Sequence, residues 1–299
     1  VQTCALPILQ SIREYTVYKE EMGRYFDTPR AQYSWRDYRI PSQVAAIEAL
    51  KTLTPKDKAI SEMQRWLLQS KRTQTWDTPV TTVDAVHAFF CGPDSILTVA
   101  TESQQTQLKI DGKKLQLPQS TAGLGYVKTA LTGSNMKTFT AEKTSEGTSW
   151  GALYAQFFQP VTDVDDASAG LVVKREIITP DGHPYDASAS KPLAVGDRVT
   201  VRLTITADRD YDFIQIVDQR AACMEPVRQL SGYQHGYYIS PRDNATNYYF
   251  DCFRKGKHVI ESTYYIDRPG NYETGLCTVQ CAYSPEFSAR TAARAIEVK

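Results

Sequence analysis

The chain has 299 residues with 34 basic and 34 acidic side chains, so its formal net charge at pH 7 is zero. This length predicts two or three domains. The balanced charge lacks the positive field of a nucleic-acid-binding or polybasic membrane-surface protein, and no apolar stretch approaches the roughly 20 residues of a membrane-spanning helix.

Residues 10–90 show the 3.6-residue periodicity of amphipathic helices. A first helix is predicted over "SIREYTVYKEEMGRYF" and a second from Ser42. A third and a fourth follow the Thr-Pro pairs at 54–55 and 78–79, where threonine can cap a helix and proline fits its first position. The positions predicted to face inward are Ile12, Tyr15, Met22 and Phe26; Val44, Ile47, Leu50 and Leu53; Ile60, Met63 and Leu67; and Val83, Val86 and Phe90.

From Cys91 onward the sequence predicts strands. Asp111-Gly112 between two alternating runs indicates a type I′ hairpin, and "NMKTFTAEKT" and "WGALYAQFFQP" are further strand candidates. In "VGDRVTVRLTITADRD" the apolar residues Val199 to Ile205 alternate with threonine and arginine, typical of a sandwich strand with one wet face. Helices followed by strands, without βαβ alternation, predict a multidomain α+β protein.

The sequence contains no P-loop and no G-x-G-x-x-G turn, and no catalytic or cofactor-binding residue is assigned. The four histidines, His87, His183, His235 and His258, are isolated from any metal-binding partner, and His87 is interpreted as structural. Asp163, Asp165 and Asp166 are interpreted as a solvated turn and not a calcium loop, and the sequon at Asn244 is given little weight.

Four cysteines fall in the last third of the chain: Cys223, Cys252, Cys277 and Cys281. Cys277 and Cys281 are separated along one predicted strand by roughly 13 Å, too far for a shared zinc ion or a mutual disulfide. Two interpretations remain open. One is a disulfide from either of them to Cys223 or Cys252, which would indicate an oxidising compartment, and the other is that all are small buried hydrophobic residues.

The C-terminal third resembles the last sandwich domain of bacterial alpha-2-macroglobulin-like proteins. The resemblance depends on a "GD-x-V" strand start, a strand ending in Asp, an "EP" turn, a "KG" turn, a "G-x-Y" turn and a closing "Y-x-PE". In this chain those residues are Gly196, Asp197 and Val199; Asp218; Glu225 and Pro226; Lys255 and Gly256; Gly270 and Tyr272; and Tyr283, Pro285 and Glu286.

The resemblance implies a domain order. Residues 9–90 would be the last helices of an α/α-toroid thioester domain, since "WDTPVTTVDAVHAFF" is similar to its end. Residues 91–169 would be the second half of a CUB-like β domain, and 170–299 an immunoglobulin-like macroglobulin sandwich. The fold class implied is therefore partial toroid helices followed by two β-sandwich domains.

The family traps proteases: a protease cuts an exposed bait, the trap closes, and in many members a thioester acylates the protease. The resemblance thus implies a broad-spectrum inhibitor in the periplasm or cell envelope, with target proteases as partners and with no cofactor, nucleic acid or small-molecule substrate. The family's "C-x-E-Q" thioester motif does not occur in this sequence. We therefore expect a non-enzymatic scaffold segment, with any membrane anchor in a missing N-terminal part.

Two other classes of protein remain as alternatives. One is a β-sandwich adhesion or carbohydrate-binding module with a helical appendage, since sandwiches host many functions. The other is an enzyme with a transglutaminase-like helical domain, which would need a Cys-His-Asp set. Cys91 is the only native cysteine beside the helical part and lies in a Gly-Pro turn.

The first residues, "VQTCALPI", fit the following helix poorly. One choice of codons for this peptide reproduces a common sequencing-library adapter. We therefore expect residues 1–8 to be a sequencing-adapter artefact and not part of the natural protein. Without Cys4, five cysteines remain, so at least one is expected to be free, and a missing signal peptide says nothing about compartment.

Overall fold

The computed structural model describes residues 2–20, 22–31, 36–76, 78–90, 106–118, 127–132, 136–144, 151–188 and 191–299. The chain forms two compact units. The first comprises Val1–Gln69 and Trp76–Tyr154, and the second comprises Ser70–Thr75 and Ala155–Lys299. Helices precede a β-sandwich, so the predicted multidomain α+β class is confirmed.

The helices are α1 Gln2–Glu14, α2 Arg39–Leu53, α3 Ala59–Thr73 and α4 Pro79–Phe90. The predicted inward faces of α2 and α3 are largely confirmed, because Ile47, Leu50, Met63 and Leu67 are fully buried. In α1 the buried face begins at Leu9, while Leu6 and Ile8 are exposed. Among the described residues, no helix is both long enough and apolar enough to cross a membrane.

The helix predicted to continue to Phe26 is wrong. α1 ends at Glu14, Tyr15 is exposed, and the chain then forms an antiparallel hairpin of β1 Thr16–Lys19 and β2 Gly23–Phe26. β-Branched and aromatic residues favour strands, and both hairpin strands contain them. The helical spacing of Met22 and Phe26 therefore identified residues that face inward, but it predicted a helix where the chain forms a hairpin.

The predicted inward face of α4 is wrong at two of its three positions. Val83 and Val86 are exposed, whereas Ala85, Ala88 and Phe89 are buried. α4 packs against α2, and small side chains let two helices approach closely, so the alanine face is selected over the valine face. Apolar spacing alone does not distinguish two apolar faces of one helix.

A small sheet in the first unit has the order β4-β3-β5, with β3 Gln107–Ile110, β4 Lys113–Lys114 and β5 Phe139–Glu142. The predicted hairpin is confirmed: Ile110 pairs with Lys113, and Asp111 and Gly112 have φ of 47° and 77°, as a type I′ turn requires. The strand predicted in "WGALYAQFFQP" is wrong for residues 151–160, which have no regular structure and no pairing strand in the described chain.

Residues 91–105, 119–126, 133–135 and 145–150 lie outside the described residues, and Cys91 is among them. The CUB-like assignment of 91–169 and the toroid assignment of 9–90 therefore stay predictions. A short 3-10 turn, Val161–Asp163, follows the irregular segment. The last sandwich includes Ala167–Ala169 as a strand, three residues before the expected boundary at 170.

Antiparallel strands form the sandwich of the second unit. They are β6 Ala167–Ala169, β7 Leu171–Ile178, β8 Arg198–Ala207, β9 Tyr211–Gln219, β10 Met224–Pro226, β11 Gly232–Gln234, β12 Tyr237–Pro241, β13 Ala245–Phe253, β14 Gly256–Ile266, β15 Gly270–Glu273, β16 Cys277–Cys281, β17 Ser288–Thr291 and β18 Ala295–Val298. One sheet has the order β10-β14-β8-β7, a second β11-β12-β13-β9-β16-β17-β6, and β15 pairs with β18.

The core of the sandwich lies between the two larger sheets. In β8, Val199, Val201, Leu203 and Ile205 are at most 1% exposed, so the predicted alternation is confirmed. The outer face of the same sheet carries cross-strand charge pairs such as Arg202 with Glu261, Nε to Oε1 at 2.6 Å. That face is therefore built to contact water.

Candidate functional site: the C-terminal sandwich

A polar cluster lies at the centre of the sandwich, around Asp218 of β9. Thr246 of β13 and Cys277 of β16 are its two cross-strand neighbours. From the opposite sheet, Arg175 of β7 places its Nε 3.0 Å from Oδ1 of Asp218, and the two side chains are 3% and 0% exposed. The pair thus connects the two sheets inside the apolar core.

The guanidinium of Arg175 has further acceptors. Nη1 donates to the carbonyl of Gly275 at 3.1 Å, and Nη2 donates to the carbonyl of Gln219. A buried cation is tolerated when its protons are shared among fixed acceptors. Arg175 therefore joins the edge strand β7 to the end of β9 and to the connection between β15 and β16.

The buried position changes the acidity of these groups. Burial raises the pKa of Asp218 to about 6, against the opposing effects of the Arg175 charge, the Cys277 thiol and the Arg220 charge. Burial and the carboxylate of Asp218 also hold the pKa of Cys277 well above its ordinary value. A thiol must be ionised to act as a nucleophile, so Cys277 is poorly suited to catalysis.

Two hydrogen bonds between the sheets lie beside the ion pair. The hydroxyls of Thr246 and Tyr264 are 2.9 Å apart, and those of Tyr248 and Ser262 are 2.7 Å apart. Burial raises the pKa of Tyr264 to about 12. These four hydroxyls and the ion pair link the two sheets, so the cluster fixes the relative position of the sheets, and its buried groups offer no surface to a substrate.

The cysteines do not form the hypothesised disulfide. Cys223, Cys277 and Cys281 are buried free thiols. Cys252 is exposed on β13, with β9 between it and β16; two strand spacings are about 9.5 Å, beyond the ~7 Å that a disulfide spans between Cα atoms. For the three buried cysteines the structure favours the alternative, small buried hydrophobic residues, whereas the exposed Cys252 does not fit it.

Two of the remaining candidate residues, His87 and Asp166, have structural partners. His87 places Nδ1 3.0 Å from Oε1 of Glu48 on the surface. Asp166 accepts a hydrogen bond from the backbone N–H of Ala292 at 2.6 Å, which anchors β6. Within the described residues, no group of three His, Cys, Asp or Glu side chains could hold a metal ion.

Sequence reasoning missed a row of tyrosines on the outer face of the seven-stranded sheet. Tyr233 of β11 is opposite Tyr238 of β12, which is opposite Tyr249 of β13. Each lies in a short alternating segment, but their alignment depends on strand register. The composition shows that the chain has 18 tyrosines, but it does not show which of them lie side by side in the sheet.

Comparison with known families identifies this sandwich. A profile of the bacterial alpha-2-macroglobulin MG10 domain matches residues 170–286. The C-terminal sandwich is a bacterial alpha-2-macroglobulin MG10 domain. The matched residues include the buried Arg175–Asp218 pair. No curated protein sequence matches the chain.

Several solved structures resemble the chain at low identity. A Salmonella alpha-2-macroglobulin reacted with methylamine is 17% identical over 87% of this chain and 17% of its own, with a TM-score of 0.40. A trypsin-activated Escherichia coli alpha-2-macroglobulin is 15% identical over 87% of this chain and 18% of its own, with a TM-score of 0.46. The chain therefore spans less than a fifth of the length of these proteins.

Proposed function

We propose that this chain is a scaffold segment of an alpha-2-macroglobulin-like protease inhibitor of the bacterial envelope. The observation that supports the proposal is the MG10 domain over residues 170–286. In this role the sandwich holds its place within a larger trap, and other parts of that trap contact the protease.

The chemistry of the MG10 domain is consistent with a scaffold. Its conspicuous polar cluster is closed within the core, and its three buried thiols have raised pKa values because of burial. We assign no catalytic residue and no cofactor to the described residues. The role of the buried polar residues is to hold the two sheets in one relative position. A domain that transmits a conformational change as a rigid body requires this.

The proposed partners are target proteases. An Escherichia coli relative has been observed in trypsin-activated and in porcine-elastase-activated forms. We propose that proteases with cleavage preferences of these kinds act on the whole protein to which this chain belongs. The envelope location rests on the family resemblance, since free thiols do not argue for an oxidising compartment.

The scaffold role is tested with the 299-residue chain itself. The chain is incubated with trypsin or elastase, and protease activity and covalent adducts are followed by peptide hydrolysis and denaturing gel electrophoresis. We expect undiminished protease activity and no adduct. A covalent chain–protease adduct would show that the chain carries acylating chemistry of its own and would overturn the scaffold assignment.

A further inference from the structure

The tyrosine row on the outer face of the MG10 sandwich is a continuous feature of the surface. The ring centroids of Tyr233 and Tyr238 are 5.1 Å apart, and those of Tyr238 and Tyr249 are 6.5 Å apart. Tyr233 is 79% exposed and Tyr249 38% exposed. Aromatic rings therefore cover three adjacent strands from the sheet edge inward.

The same row continues across the sheet with amides and a hydroxyl. Gln215 of β9 is opposite Tyr249, Gln280 of β16 is opposite Gln215, and Ser288 of β17 is opposite Gln280. Six aligned positions span five strand spacings, about 24 Å. In the neighbouring row, Asn247 donates from Nδ2 to the Tyr249 hydroxyl at 3.3 Å, which adds another amide next to the rings.

None of the six positions bears a charge at neutral pH. This differs from the outer face of the other sheet, where Lys174 and Glu176 form an ion pair, as do Arg202 and Glu261. Arg290, in the row next to Ser288, is engaged by its Nε at 3.1 Å to the carbonyl of Asp165. The six positions themselves offer an occupant no charge, so recognition there depends on ring stacking and hydrogen bonding.

Those two interactions together describe one class of ligand. Aromatic faces attract apolar C–H surfaces, and side-chain amides both donate to and accept from hydroxyl groups. The core of a protein–protein interface is mainly apolar, whereas half of this row is amide or hydroxyl. A neutral polysaccharide presents C–H faces and hydroxyl groups in alternation and carries no charge.

We propose that the row Tyr233, Tyr238, Tyr249, Gln215, Gln280 and Ser288 binds an uncharged, extended polysaccharide that lies across the strands. The tyrosines stack against sugar rings, and the two glutamines hydrogen-bond to hydroxyl groups. This site is independent of protease inhibition, because it lies on one face of the sandwich and involves none of the polar core.

The test measures binding of defined oligosaccharides to the 299-residue chain by titration calorimetry. The uncharged probes are cellohexaose and chitohexaose, and a heparin hexasaccharide is the charged probe. We expect at least one uncharged probe to bind and the heparin probe not to bind. Y233A and Q215A should each weaken binding about tenfold, the loss of roughly one stacking or hydrogen-bonding contact.

Tyr265 provides the matched control. It is 46% exposed on β14 of the other sheet, so Y265A removes an equivalent ring away from the row and should leave binding unchanged. Circular dichroism and thermal unfolding verify that each variant is folded.

Four results would overturn the proposal. They are no binding of either uncharged probe at millimolar concentration, equal binding of heparin, equal effects of Y233A and Y265A, and self-association that Y233A abolishes. Self-association of that kind, measured by sedimentation velocity, would assign the row to a second copy of the chain.

Discussion

Asp218 is the residue with the most unusual environment in the MG10 domain. It is fully buried, 3.0 Å from the Nε of Arg175, and its pKa is nevertheless raised to about 6. Desolvation of a carboxylate can exceed the attraction of one buried partner, which explains the direction. The pairing joins residues 43 positions apart on opposite sheets, so no local sequence pattern predicts it.

The raised pKa of Asp218 predicts a pH-dependent stability. Between pH 3.8 and 6 the folded chain holds a proton on Asp218 that the unfolded chain has released, so this contribution to stability is complete below about pH 4 and is lost as pH rises through 6. D218N cannot titrate. Its free energy of unfolding relative to wild type should therefore rise between pH 4.5 and 7, by an amount on the order of 2 kcal/mol.

Urea unfolding at several pH values, with the transition of the MG10 domain followed separately from that of the first unit, measures this difference. S262A, a neutral change in the same core, serves as the control and should differ from wild type by a constant amount. A D218N difference that is flat or falls with pH would contradict the raised pKa.

The buried thiols give a second prediction at this scale. Cys223, Cys277 and Cys281 are free, and burial raises the pKa of each. Iodoacetamide should therefore leave all three unmodified in the folded chain and alkylate all three after denaturation without reductant. Peptide mass spectrometry reports each site, and a peptide that becomes alkylated only after reduction would restore the disulfide hypothesis.

At the scale of elements, the sequence predicted strands that have one face in the core and one face in water. It did not predict which of two apolar faces of a helix is buried. The alternation of β8 and the Asp111-Gly112 turn each specify a local conformation, and the structure has both. The hairpin at 16–26 and the inward face of α4 depend on what packs against them. The tyrosine row depends on register across three strands, which a single strand's sequence does not contain.

The orientation of α4 is tested by a matched pair of substitutions. Ala85 is 0% exposed and Val83 is 65% exposed. A85L should overpack the contact with α2 and cost about 1–3 kcal/mol, whereas V83L should change stability by less than about 0.5 kcal/mol.

Hydrogen exchange of peptides from α2 and α4 reports this locally, which avoids assuming that a chain of two units unfolds in one step. Faster exchange in A85L alone is expected. Equal exchange rates in both variants would contradict the orientation in which Ala85 is buried and Val83 is exposed.

At the scale of the whole molecule, the MG10 domain determines the functional interpretation. The segment order seen in the sequence led to the same family as the profile match over 170–286. The toroid and CUB-like assignments lack such support, because the sequence features used for them were fewer and much of 91–150 lies outside the described residues. The trap mechanism is therefore a property to be tested on the protein expressed from its complete coding sequence.

A trap encloses a protease without blocking its active site, so its inhibition depends on substrate size. The decisive measurement compares trypsin activity on casein and on a small chromogenic peptide after incubation with that protein. We expect loss of casein hydrolysis with retention of most peptide hydrolysis. Equal loss on both substrates would indicate an active-site inhibitor, and no loss on either would contradict the assignment to a protease inhibitor.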